Sequence, residues 1–240
     1  MSRGLQRTTP ARRDRAIAEL DAIPLRVSAI DRELEAAVSA GCTQVVILGA
    51  GLDTRALRMS VLAQVVVFEV DHPATQAHKR RKTSTLRPLA RSLRFVPVDF
   101  ERTDLTACLD EAGFEPEQTT AWIWEGVVMY LTDGGRYGAR SSTSLMGALA
   151  AVLLVNYHVP RSAPANGEMR IRRIMLSLWR EPQIGLRTSE SMREAVGRAG
   201  FVVVSDTRPA QWAQALGARP PSGYTAEVSR LLVAKRVPPA

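Results

Sequence analysis

The stretch QVVILGAGLDTRALRM, Gln44–Met59, decides how this chain is to be read. Gln44–Leu48 is a run of β-branched and aliphatic residues of the length and type that form a strand buried on both faces. The run stops at Gly49, passes Ala50 to Gly51, and leads through Asp53 and Thr54 into a segment predicted to be helical over Asp53–Leu62. A strand that turns sharply into a helix through glycines lets a ligand approach the backbone. It is also the opening unit of the doubly wound α/β sheets, whose ligands sit beyond the C-terminal ends of the strands.

Working outward, five more segments read as strands after the first: Val65–Val70, Arg94–Val98, Ala121–Trp124, Val152–Tyr157 and Phe201–Ser205, with a seventh strand at Val228–Ala234. Helix-length segments such as Pro73–Thr83 and Leu105–Ala112 separate the early ones. Strands alternating with helices imply right-handed crossovers and a parallel sheet. The connection Pro209–Tyr224 is rich in Pro and Gly and only partly helix-like, so the last strand is expected to run antiparallel to its neighbours. Ahead of the first strand, Arg12–Leu20 and Leu25–Ala40 read as two helices, punctuated by Pro24 and ended by Gly41.

The bulk properties agree with one α/β core. The chain has 240 residues, of which 45% are hydrophobic and 23% charged, values ordinary for a globular protein. A net charge of +8 comes mostly from Arg, in short clusters at Arg12–Arg13, Lys79–Lys82 and Arg170–Arg173. No aromatic-plus-basic strand or zinc-finger spacing accompanies that charge, which reads against nucleic acid and for a solvated basic surface. Cys42 and Cys108 lack metal-ligand spacing, as do His72 and His158, so no metal is expected. The first twenty residues lack the apolar core of a signal peptide, and the longest apolar run, near Leu145–Val155, is short of the ~20 residues of a membrane span. The expectation is a soluble protein of the cytoplasm that engages no membrane.

The second strand ends in FEVDHP, which puts Asp71 twenty residues after Gly51, where an acidic side chain reaches ribose hydroxyls. That much fits a nicotinamide dinucleotide in an NAD(P)-dependent oxidoreductase. The dinucleotide fingerprint, though, has a third Gly where this chain has Thr54, and a pyrophosphate on the helix N-terminus where this chain has the carboxylate of Asp53. The balance moves to a ligand without phosphates. The third strand ends FVPVDF, so Asp99 falls beside Asp71, placed to accept a bond from an adenine amino group, and Phe100 offers an apolar face. S-adenosylmethionine needs this set of groups. Asp71 has a second reading as a helix cap ahead of Pro73.

Five motifs in order, VVILGAGLDTRALR, VFEVDHPATQAHKR, FVPVDF, WEGVVMYLT and AGFVVVSD, make the chain similar to the leucine carboxyl methyltransferase family, in its bacterial branch of S-adenosylmethionine-dependent methyltransferases and polyketide O-methyltransferases. The likeness runs from about Arg26 to Ser205. It implies a Rossmann-like seven-stranded methyltransferase sheet with helices on both faces, residues 43–240, preceded by a helical cap, residues 1–42. It further implies S-adenosyl-L-methionine as cofactor and methylation of an oxygen, carboxylates being the family's best-known acceptors, here on a small molecule. By the same likeness Gly49, Ala50 and Gly51 lie against the methionine portion, Asp71 bonds the ribose, and Asp99 with Phe100 frames the adenine. Arg26, in PLRVSAID, resembles the family arginine that pairs with the methionine carboxylate. Glu125, in WEGVVMY, resembles the family acid near the cofactor's amino group. No catalytic base stands out, and none is required when the acceptor is already ionised.

Two features differ from the family. Only about forty residues precede the first strand, where members carry a longer cover, and Thr132–Gly147 has four glycines and a Ser/Thr run where members carry an amphipathic helix. These features favour a second expectation, a non-catalytic or degenerate S-adenosylmethionine-binding protein.

Overall fold

The computed structural model describes residues 10–100, 102–128, 151–160 and 185–236. A long helix, α1 (Pro10–Ser39), leads into β1 (Gln44–Leu48), whose chain continues through α2 (Arg55–Arg58) and a 3-10 turn at Ser60–Gln64. Then come β2 (Val66–Asp71), α3 (Pro73–Lys82), β3 (Ser92–Pro97), α4 (Leu105–Glu111), β4 (Thr120–Trp124) and β5 (Ala151–His158). After residue 184 follow α5 (Ser189–Arg198), β6 (Val202–Thr207), α6 (Pro209–Leu216), α7 (Tyr224–Val228) and β7 (Ser229–Lys235). The Thr132–Gly147 stretch lies outside the described residues.

The seven strands form one sheet in the order β3-β2-β1-β4-β5-β7-β6. The first five pair in parallel, Leu48 standing opposite Val70 on one side and Trp124 on the other. β7 enters antiparallel between β5 and β6, with Val155 opposite Leu232. This is the predicted class: a mainly parallel seven-stranded sheet whose chain order reverses between β1 and β4, with the last strand antiparallel to both of its neighbours.

Side chains alternate across the sheet, and each face has its own core. Val46, Leu48, Phe68, Val70, Trp122 and Val155 point to one side, where Phe114 packs edge-on to Phe68 and Trp122 with ring centroids 5.7 and 5.6 Å apart. Val45, Ile47, Val67, Ile123, Leu154 and Val233 point to the other, against Leu25, Ala29, Ile30, Leu34 and Ala37 of α1. Near the far edge the Tyr157 hydroxyl donates to the carboxylate of Asp206, 3.0 Å away, which ties β5 to β6 across the intervening β7.

The helices differ from expectation in two places. Pro24 does not divide two helices; it lies inside α1. A proline in a helix interior removes one backbone bond, but Ala22 and Leu25 on either side are both buried, which holds the chain helical across it. The helix predicted over Asp53–Leu62 stops at Arg58, because Met59 takes an extended conformation that lets both Met59 and Leu62 enter the core.

One pair in the core is ionisable. Glu69 on β2 and Lys79 on α3 are both nearly inaccessible and meet at 2.5 Å, and the second oxygen of Glu69, Oε1, has no partner among the described residues. Burial pushes the Glu69 carboxyl up from its ordinary 4.5 to about 7, with Lys79 opposing the rise. The folded chain therefore keeps a proton that the unfolded chain releases between about 4.5 and about 7, so this group's contribution to stability falls as pH rises through that window. Removing the ammonium leaves a lone buried carboxyl whose rise is larger still. Lys79→Met is expected to cost about 3–5 kcal/mol in urea unfolding at about pH 8 and measurably less at about pH 5.5. A loss independent of pH contradicts this account of the pair.

Candidate functional site

The site lies along the C-terminal ends of β1, β2, β3 and β4, on either side of the point where the strand order reverses. β1 ends by handing its backbone to β2: the Gly49 and Ala50 N–H groups both donate to the Val70 carbonyl, at 2.8 and 3.0 Å. Gly49 and Gly51 both have positive φ, +67° and +51°, a conformation that glycine adopts without strain. Their surroundings differ. A Cβ on Gly49 would sit 2.3 Å from Cγ2 of Val127, so the missing side chain there is filled by the loop after β4. Among the described residues a Cβ on Gly51 would meet only the Gly49 carbonyl, at 3.9 Å, so the open approach to this turn lies at Gly51.

Asp71, the last residue of β2, faces that turn. One carboxylate oxygen accepts the Gly51 N–H and the other the His72 N–H at 2.6 Å. Each oxygen keeps a further lone pair for an outside donor. The helix-capping role falls to His72, whose Nδ1 accepts from the Ala74 N–H at 3.3 Å, with Pro73 at the first helical position. On the adjacent strand the Val98 N–H donates to the Asp71 carbonyl at 2.9 Å, which sets Asp99 one residue beyond. The Asp99 carbonyl accepts from the N–H groups of Arg102 and Thr103, and its carboxylate stands 3.8 Å from the Arg102 guanidinium. Phe100 is half-buried against the core. Asp71, Asp99 and Phe100 thus stand at the ends of two neighbouring strands.

Glu125 follows β4 directly and is held from two sides. Arg26 of α1 donates from Nε to one oxygen at 2.8 Å, and Arg55 of α2 donates from Nη2 to the other at 2.7 Å. Burial raises the Glu125 carboxyl, but the two guanidinium charges outweigh it and hold the group below its ordinary value. Arg55 is the hub of a larger cluster. Its Nε donates to Asp31 of α1 at 2.7 Å, its Nη1 to Asp53, and Arg58 reaches the other oxygen of Asp31 at 2.6 Å. Burial disfavours the Arg55 charge, yet Asp53, Glu125 and Asp31 more than compensate and hold its pKa above the ordinary arginine range.

The cluster changes the argument drawn from Asp53. Its carboxylate is not a bare charge at a helix N-terminus, since it pairs with Arg55 and also accepts the Arg55 N–H at 2.7 Å. What disfavours a pyrophosphate here is the helix itself. α2 has four residues, and the N–H at its start is already taken. Arg26 and Glu125, named from the sequence, are brought together; Arg55, Asp31 and Arg58 were not named. Among the described residues no group of His, Cys, Asp and Glu is arranged to hold a metal ion, and no helix is long and apolar enough to cross a membrane.

Comparison with known proteins gives the same picture. A protein from Mycolicibacterium gilvum named "Putative S-adenosyl-L-methionine-dependent methyltransferase" is 38% identical over 148 residues, which cover 60% of this chain and 47% of that protein. The chain thus spans about half the length of such relatives. Among solved structures, a protein of the DUF574 family from Streptomyces avermitilis superposes with a TM-score of 0.66 at 19% identity, covering 98% of this chain and 94% of that one. One described as "a putative methyltransferase" from Thermobifida fusca YX gives a TM-score of 0.65 at 16% identity, covering 90% and 82%. At those identities the structures speak to the fold. The sequence model described as "Leucine carboxyl methyltransferase" matches residues 3–136, more than half of the 240-residue chain, and the protein belongs to that family.

Proposed function

We propose that the chain binds S-adenosyl-L-methionine across the C-terminal ends of β1 to β4 and that its reaction is methyl transfer to a carboxylate oxygen of a small molecule in the cytoplasm. The observation that carries this reading is the seating of Asp71: a carboxylate fixed by the Gly51 turn, with a lone pair left on each oxygen, beside a turn that is open at Gly51. A ribose diol suits those lone pairs. The family and the name of the Mycolicibacterium relative support the same cofactor.

In this reading the other named residues divide the cofactor between them. Asp99 and Phe100 frame the adenine, Asp99 by accepting from the amino group and Phe100 by its ring face. Gly49, Ala50 and Gly51 line the methionine portion. Arg26 and Glu125 hold opposite charges 2.8 Å apart, as the carboxylate and ammonium of an amino acid require. An Arg has donors beyond the one bonded to Glu125, so Arg26 reaches the ligand's carboxylate while still paired.

The cofactor supplies an electrophilic methyl group on a sulfonium. The protein's share is alignment and exclusion of water, which in well-oriented systems is worth about 7–11 kcal/mol. In the transfer the acceptor's O–CH3 bond forms as the S–CH3 bond breaks, and its electron pair returns to sulfur. A carboxylate acceptor is already the nucleophile at neutral pH, so this reading assigns no residue as base.

Two measurements test the proposal. With S-adenosylmethionine at about 100 times its Kd, stability is expected to rise by about 2.7 kcal/mol, seen as a higher Tm, with NAD having no such effect. Asp71→Ala weakens binding by about 1–3 kcal/mol, and Asp71→Asn, which can still accept from Gly51, loses less. Stabilisation by NAD alone refutes the cofactor assignment. For the chemistry, methyl-labelled cofactor is incubated with a panel of aromatic and polyketide acids. The product is expected to release its label as methanol in mild alkali, the behaviour of a methyl ester. Alkali-stable label, from an ether or an N-methyl product, rules out the carboxylate acceptor and leaves methyl transfer intact.

A further inference from the structure

We propose that Arg55 is the positioning residue of this site: it holds Glu125 as a carboxylate and seats α1, with Arg26 on it, over the ends of β1 and β4. The inference rests on the reading that the amino-acid end of S-adenosylmethionine lies at Arg26 and Glu125.

Three observations lead to it. The Arg55 side chain is 2% exposed, so its charge has little water to turn to and is balanced by protein groups. Its partners come from three separate places in the chain: Asp31 from α1, Asp53 from the turn after β1, and Glu125 from the end of β4. Its guanidinium spends one nitrogen on each, Nε on Asp31, Nη1 on Asp53 and Nη2 on Glu125, so its plane fixes all three carboxylates relative to one another. No lysine reproduces that fork, since an ammonium on a flexible stem is a point charge.

Among the described residues the charges of this cluster also balance. Three guanidinium groups, Arg26, Arg55 and Arg58, meet three carboxylates, Asp31, Asp53 and Glu125. A ligand end carrying one carboxylate and one ammonium enters without changing the net charge. With Arg55 on one oxygen and Arg26 on the other, Glu125 stays ionised and can share a charged oxygen with that ammonium, Arg55 being the stronger of the two influences. Without Arg55, Glu125 faces Arg26 alone across from the acids Asp31 and Asp53, and burial then drives it toward the protonated form. Arg55 touches neither the cofactor nor the acceptor in this arrangement and acts through Glu125 and α1.

The experiment measures S-adenosylmethionine and S-adenosylhomocysteine binding to the full chain by calorimetry between about pH 5.5 and about pH 7, for wild type, Arg55→Met and Arg55→Lys. A carboxylate NMR titration of Glu125, assigned with Glu125→Gln, runs beside it. Wild type is expected to bind with a Kd nearly constant across that range. Arg55→Met is expected to bind about tenfold more weakly at about pH 7, and more weakly still as pH falls, while its Glu125 signal titrates at higher pH than in wild type. A purely architectural role lowers Tm without creating that pH slope. Should Arg55→Met not fold, Arg55→Lys decides: a Kd raised at least about threefold supports the proposal, and an unchanged Kd overturns it. A folded Arg55→Met with wild-type affinity, or with a flat pH profile, overturns it as well. A wild-type chain that binds neither ligand overturns the cofactor reading and this inference together.

Discussion

A guanidinium taken out of water needs acids around it, and the acids around Arg55 come from three separate places in the chain, α1, the turn after β1 and the end of β4. Asp31 lies 24 residues before it and Glu125 lies 70 residues after it. Losing one partner from such a buried set costs more than the pair ever contributed, because the remaining charge is stranded. That asymmetry makes the cluster a constraint on geometry rather than a source of stability. The N-terminal helix, the turn after β1 and the end of β4 must sit where they do for the charges to close.

The sheet supplies the frame for that closure. Parallel pairing of β1 with both β2 and β4 brings three strand ends to one level, and the chain order reverses between β1 and β4, the place where doubly wound sheets take their ligands. Asp71, Asp99 and Glu125 follow from that geometry, since each is the first acid at or after a strand end. The Gly49 turn is locked to the β4 side by Val127 and to the β2 side by the Val70 carbonyl. It is therefore fixed by both neighbours of β1.

Most of the strand plan was legible in the sequence because aliphatic runs such as Val45–Leu48 and Leu153–Val155 are buried on both faces of a sheet and tolerate little else. Acids at strand ends were legible for the same reason, since they mark where such a run stops. The helices were harder. Proline disfavours a helix interior, but the burial of Ala22 and Leu25 overrode it at Pro24, and no local pattern announces the extended Met59 that cuts α2 short. Arg55, Asp31 and Arg58 escaped notice because a charge on a helix looks solvated until its partners are known, and those partners are distant in sequence. The sequence treats Gly49 and Gly51 alike, and nothing local announces that Val127 packs where a Cβ of Gly49 would stand.

The position of β7 bears on the order in which the chain can assemble. β6 pairs with β7 and not with β5, yet β7 is made after it. As the chain emerges from a ribosome, the parallel strands β1 to β5 can associate with one another, but β6 has no native neighbour until β7 arrives to bridge the gap. Tyr157 on β5 and Asp206 on β6 wait on the same event, because their hydroxyl-to-carboxylate bond spans the slot that β7 fills. Native closure of this side of the molecule therefore requires the last strand of the chain, and without it β5 presents an unpaired edge of the kind that invites stray pairing.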